Sequence, residues 1–86
     1  METTVTVTNR AGIHTRPAAT IVKLASQFKS EIFLSKDGFE INAKSIIGVM
    51  CLTAEQGSEL TLRVEGEDET AATDAMKQLF ADGFNE

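Results

Sequence analysis

Glu31 Ile32 Phe33 Leu34 Ser35 Lys36 Asp37 Gly38 Phe39 Glu40 Ile41 Asn42 Ala43 decides how this chain folds. Two short apolar runs, Glu31 to Lys36 and Phe39 to Ala43, flank Asp37 and Gly38. That pair suits the positive φ angles of a two-residue type I′ turn, so the stretch predicts a β-hairpin. On its N-terminal side, Thr3 to Thr8 alternates polar and apolar β-branched residues, which predicts a strand with Val5 and Val7 toward a core. Asn9 to Gly12 reads as a loop. From Arg16 onward Ala18, Ile21, Val22, Ala25 and Phe28 recur at helical spacing, with Pro17 in the first helical turn, where its missing amide has no intrahelical acceptor to lose. On the C-terminal side, Lys44 to Leu52 predicts a brief helix capped by Ser45. Leu60, Leu62 and Val64 alternate as a fourth strand. Asp68 to Phe84 predicts a helix with Ala72, Ala75, Met76, Leu79 and Phe80 on one face and Gly83 as its stop.

The order is therefore βαββαβα, with no repeat, low-complexity tract or linker. Four short strands and three helices with one apolar stripe each predict an α+β two-layer sandwich, helices on one face of the sheet and solvent on the other. Right-handed crossovers allow strands of one βαβ unit to fill gaps in the other, which predicts an antiparallel sheet of mixed order. The 86 residues suffice for one core and not for two, so residues 1–86 are expected to form a single domain.

Thirteen acidic against eight basic side chains give a net charge of −5, and the basic residues are scattered. Nucleic acid and anionic membrane surfaces are repelled at long range by such a balance. The start of the chain has no basic segment followed by an apolar run, and no stretch is apolar enough to span a bilayer. One cysteine, Cys51, cannot form an internal disulfide and is expected as a small buried hydrophobe; one histidine leaves no metal-ligand cluster. A cytoplasmic, monomeric chain without metal or cofactor is the expectation.

The chemistry concentrates in Gly12 Ile13 His14 Thr15 Arg16 Pro17 Ala18 Ala19. The first amides of a helix lack intrahelical acceptors and the macrodipole adds partial positive charge, so a helix start accepts anions. A ring nitrogen of His14 is a competent nucleophile there, and Arg16 adds a charge-assisted contact to any phosphate it carries. A helix end contributes ~0.3–1 kcal/mol and a hydrogen bond to a charged group roughly 1.5–3. Each ~1.4 kcal/mol of extra holding costs tenfold in transfer, so an exposed mouth with one arginine suits a relay better than a store. The residues alone reach an anion-accepting helix mouth with a candidate nucleophile; a simple capping or surface histidine fits them equally well. A cysteine–histidine hydrolase lacks an orienting third group and a pocket.

This eight-residue stretch resembles the active-site signature of HPr, the histidine-containing phosphocarrier family of the bacterial phosphoenolpyruvate-dependent sugar phosphotransferase system. Lys44 Ser45 Ile46 Ile47 Gly48 Val49 Met50 resembles the family's second signature, Gln56 Gly57 its following turn, and Glu65 to Glu69 the approach to its last helix. The resemblance implies an open-faced β-sandwich of strand order 1-4-2-3 and a carrier rather than an enzyme. It implies that His14 accepts the phosphoryl group on Nδ1 from phosphorylated Enzyme I and passes it to Enzyme IIA domains, with Arg16 as phosphate partner. Thr15 stands where the family often has alanine, and its hydroxyl either caps the helix or reaches the phosphate, the cap being the preferred reading. Ser45 resembles the regulatory site of HPr kinase/phosphorylase. A phosphate there adds about −1.5 to −2 charge at a helix start, which the fold tolerates, so its effect falls on docking through Thr15, Ile46, Ile47 and Met50. The alternative is a regulatory HPr paralogue that acts mainly through Ser45-dependent binding, to a catabolite-control transcription regulator for instance, in carbon or nitrogen control.

Overall fold

The computed structural model describes residues 1–85; Glu86 lies outside the described residues. Its elements are β1 (Glu2–Thr6), α1 (Thr15–Ala25), β2 (Glu31–Lys36), β3 (Phe39–Asn42), α2 (Ile46–Cys51), β4 (Glu59–Glu65) and α3 (Glu69–Ala81). The strands form one antiparallel sheet in the order β1-β4-β2-β3. Asp37 and Gly38 both take positive φ, 52° and 85°, as the type I′ turn between β2 and β3 requires.

Alternation along each strand sorts the faces. Val5, Ile32, Leu34, Leu60, Leu62 and Val64 point into the core, where they meet Ala18, Ile21 and Ala25 of α1 and Ala72, Met76, Leu79 and Phe80 of α3. Each such branched side chain contributes on the order of 1.5–3 kcal/mol when fully buried. The other face of the sheet stays open. There Arg63 stacks over the Phe33 ring at 4.3 Å and binds Glu40 across the sheet, which holds the Glu40 carboxyl below the usual carboxylate range.

Several boundaries depart from the periodicity reading. The helix α1 begins at Thr15, one residue before the periodic run at Arg16, with His14 as N-cap and Pro17 as its third residue. First-turn amides lack an intrahelical acceptor, so proline fits there. Ala75 is only half-buried, and Thr73 takes the buried place instead, its hydroxyl 3.7 Å from the Met1 sulfur. Positions 72, 73, 76, 79 and 80 form the stripe that faces the sheet. Gly83 does stop α3, at φ +65°, but the chain then makes one left-handed turn that returns Phe84 to the core, edge-on to Phe80 at 4.9 Å. Cys51 is exposed, not buried: in this single-turn helix Val49 alone is fully inward, which leaves Cys51 outward.

Candidate functional site

The approach to α1 is built by contacts distant in sequence. Gly12 has φ +76°, and a Cβ there would stand 2.7 Å from the Ala54 carbonyl oxygen, so only glycine fits. The Ile13 amide donates to that same carbonyl at 2.9 Å, and the Asn9 side-chain amide donates to the Gly12 carbonyl at 2.9 Å. The Gln56 side chain donates to the Thr8 carbonyl at 3.1 Å, tying the α2–β4 loop to the end of the first strand. These ties set the backbone that presents His14. Asn9 and Ala54 carry no catalytic chemistry of their own, and an apolar residue and a loop asparagine give no such signal before the two loops meet.

His14 is exposed and its side chain makes no capping hydrogen bond. Its carbonyl accepts the first intrahelical bond, from Ala18 at 2.8 Å. Since Pro17 has no amide, Thr15 and Arg16 supply the first-turn backbone donors left outside the helix ladder. Both residues are exposed, and the Arg16 guanidinium has no ion pair among the described residues. Thr15 is the first helical residue, so the preferred reading of its hydroxyl as the cap is corrected: the cap position belongs to His14. Pro17 and Ala18 turn inward and anchor the turn to the core.

The helix α2 packs against α1 and against β3. Ser45 is its N-cap, and its hydroxyl accepts the Gly48 amide at 3.1 Å. Ile46, Ile47 and Met50 are 42%, 74% and 43% exposed, large apolar side chains without cover. Neither α1 nor α2 contains an acidic residue, in a chain whose net charge is −5. Among the described residues the acids lie instead on the strands, along α3 and at its ends, and in the connecting loops. No helix among the described residues is long and apolar enough to cross a membrane.

Fold and site define a class: a small open-faced sandwich whose candidate nucleophile stands on the surface, where another macromolecule rather than a pocket would complete a reaction. Comparison with known proteins makes the class specific. The family described as "PTS HPr component phosphorylation site" matches residues 1–82. The phosphocarrier protein HPr of Treponema pallidum is 57% identical over 83 residues, covering 96% of this chain and 94% of that protein. A crystal structure of HPr from Thermoanaerobacter tengcongensis superposes with a TM-score of 0.96 at 43% identity, covering 100% of this chain and 97% of that one. The Bacillus subtilis catabolite-repression protein Crh, solved as a dimer with a swapping domain, gives a TM-score of 0.79 at 42% identity over 86% of this chain and 85% of its own. The chain belongs to the HPr family of phosphotransferase-system phosphocarriers, which are carriers and not enzymes.

Proposed function

We propose that His14 is the phosphoryl acceptor of a relay between phosphorylated Enzyme I and Enzyme IIA domains. The observation that carries this reading is an exposed N-cap histidine without a capping bond, beside an arginine without an ion pair. The Nδ1 lone pair attacks phosphorus, the N–P bond forms as the bond to the donor breaks, and the ring proton stays on Nε2. The Thr15 and Arg16 amides and the Arg16 guanidinium then face the new dianion. These contacts are few and open to solvent, so the group is held by a few kcal/mol and stays transferable. An acid-free pair of helices around an apolar patch of Ile46, Ile47 and Met50 fits acidic partner surfaces, and the place of action in this reading is the cytoplasm.

Ser45 phosphorylation sets the second half of the proposal. A phosphate on the N-cap oxygen keeps its charge at the positive end of α2 and adds a dianion at the rim of the apolar patch, which penalises burial there. Phosphorylation by an HPr kinase/phosphorylase, and binding of a catabolite-control regulator, are the corresponding partner assignments. The likeness to Crh supports the regulatory alternative, in which Ser45 matters more than His14.

Incubation with phosphoenolpyruvate and Enzyme I is the test. The wild type acquires an acid-labile, base-stable phosphate, Ser45→Ala retains it and His14→Ala loses it. An unlabelled wild type overturns the relay. Regulator binding that follows Ser45 phosphorylation and persists in His14→Ala, with negligible labelling, establishes the alternative.

A further inference from the structure

The chain has three methionines, and the fold gives their sulfur atoms three different surroundings. Met76 is fully buried in the core, on the inward stripe of α3. Met1 is exposed, but the hydroxyls of Thr70 and Thr73 both donate to its sulfur at 3.7 Å. Met50 is exposed, and its sulfur accepts no hydrogen bond among the described residues. It stands four and three positions after Ile46 and Ile47, so the three side chains share one face of α2. A thioether in this setting is soft, mobile and open to attack. The next residue, Cys51, is exposed as well and is the nearest competitor for the same reagents in sequence.

We propose that Met50 is an oxidant-sensitive modification site: a hydroperoxide converts it to the sulfoxide, and the added oxygen weakens docking on the α2 patch. The sulfur lone pair attacks one peroxide oxygen, and the S–O bond forms as the O–O bond breaks. The departing oxygen takes the proton of the transferred one and leaves as water. Sulfur loses two electrons and the peroxide gains them. Two thiols of a methionine sulfoxide reductase reverse the change, becoming a disulfide while the oxygen leaves as water. The oxidised side chain carries a polar acceptor that water satisfies on the free carrier and an apolar partner surface does not. The fold has no stake in the change, because Val49 is the inward residue of α2 and Met50 faces solvent. Ser45 and Met50 stand at opposite ends of one short helix, the first available for a phosphate and the second for an oxygen. The inference rests on the reading of Ile46, Ile47 and Met50 as the docking patch of a carrier, and adds to it a control by oxidants.

Hydrogen peroxide is the probe, removed before Enzyme I is added; peptide mass mapping and the initial rate of labelling are the readouts. Oxygen is gained at Met50 first, at Met1 more slowly and not at Met76. As Met50 is oxidised, the labelling rate at limiting carrier falls at least about tenfold while the rate at saturating carrier changes little. Methionine sulfoxide reductase with a thiol restores it. Cys51→Ser loses its rate as the wild type does. Met50→Leu, compared with its own untreated rate, loses nothing, although Met1 still gains oxygen. The urea midpoint of the treated wild type is unchanged, which separates docking from unfolding. Met1 or Met76 oxidised ahead of Met50, a lowered midpoint, a loss that persists in Met50→Leu, or a loss absent from Cys51→Ser overturns the proposal. Should Met50→Leu be unlabelled before treatment, recovery of rate in step with reduction of Met50 decides. An untreated wild type that is not labelled overturns the relay and this inference with it, whereas a labelled wild type that peroxide does not slow overturns this inference alone.

Discussion

The starts of α1 and α3 use one backbone device with opposite side-chain choices. Each N-cap is preceded two residues earlier by a glycine at positive φ with no room for a Cβ: Gly12 against the Ala54 carbonyl, and Gly66, at φ +151°, against Ser30 at 2.6 Å. At α3 the N-cap is Asp68, whose carboxylate accepts the amides of Lys29 and Ser30, both at 2.9 Å, and the Ser30 hydroxyl. Glu69 adds a negative charge in the first turn, and its carboxylate accepts the Gly66 amide at 3.2 Å. At α1 the N-cap is His14, with no capping bond and no acid in the first turn. Neither N-cap side chain bonds an amide of its own helix; the α3 start instead carries two carboxylates of its own, and Asp68 locks the α1–β2 turn to the α3 end. The α1 start has no acid, and its positive end is left for an anion that arrives from outside. A cap on α1 is an available stabilisation that the sequence forgoes, as expected where a binding site and a stable helix end compete for the same amides.

Closing the α1 mouth breaks the contrast most severely. His14→Asp removes the nucleophile and supplies a carboxylate that caps Arg16, so Enzyme I labelling falls to background. Denaturant unfolding then shows stability unchanged or raised by ~0.5–1 kcal/mol. A marked loss of stability would mean that His14 is itself a structural cap.

The glycines come next. Gly66→Ala and Gly12→Ala each lose about 1–3 kcal/mol, through positive φ and the close approach of backbone. Urea melts measure the loss, and transfer assays separate the pair: Gly66→Ala keeps the wild-type rate per folded molecule, whereas Gly12→Ala slows it by displacing His14 from Arg16.

A third helix start calibrates the other two. Ser45→Ala removes the bond to the Gly48 amide and lowers α2 stability by ~1 kcal/mol, read as faster amide exchange at Gly48 and Val49. Labelling at His14 is unaffected.

The last effect is read as a dependence on pH. The Ser30 hydroxyl, followed by the Lys29 amide, holds the Asp68 carboxyl down to about 2 from an ordinary 3.8. The folded value lies below the unfolded one, so this contribution is fully present above about pH 4 and disappears as pH falls through about 2. Asp68→Asn is destabilised at neutral pH and loses less of its remaining stability between pH 4 and 2, measured by urea midpoints against pH. Equal slopes for the two proteins in that window would assign acid sensitivity to other carboxylates.

What could be read from the chain divides along the same line. The β2–β3 hairpin was legible because Asp37 and Gly38 carry its turn chemistry locally, and β2 begins and ends where the apolar run does. The Ser45 cap was legible for the same reason. The inward direction of Val49 and the exposure of Cys51 were not, because a single helical turn shows too little periodicity to fix its phase. At the candidate site, His14, Arg16 and Pro17 stood together in sequence, but the start of α1 fell one residue earlier than the pattern suggested. Asn9, Ala54 and Gln56, which set the presenting loop, gave no sign of that role.

By itself the sequence determined the order of elements, their faces and the residue types of the α1 mouth, since alternation, helical period and turn chemistry act between near neighbours. Only the tertiary structure decided that Gly12 must be glycine, that Asp68 closes a turn 38 residues away, and that Phe84 folds back onto Phe80. Each of these depends on atoms brought together by packing, and steric exclusion and hydrogen bonding at 3 Å have no signature along a chain until the fold supplies the second partner.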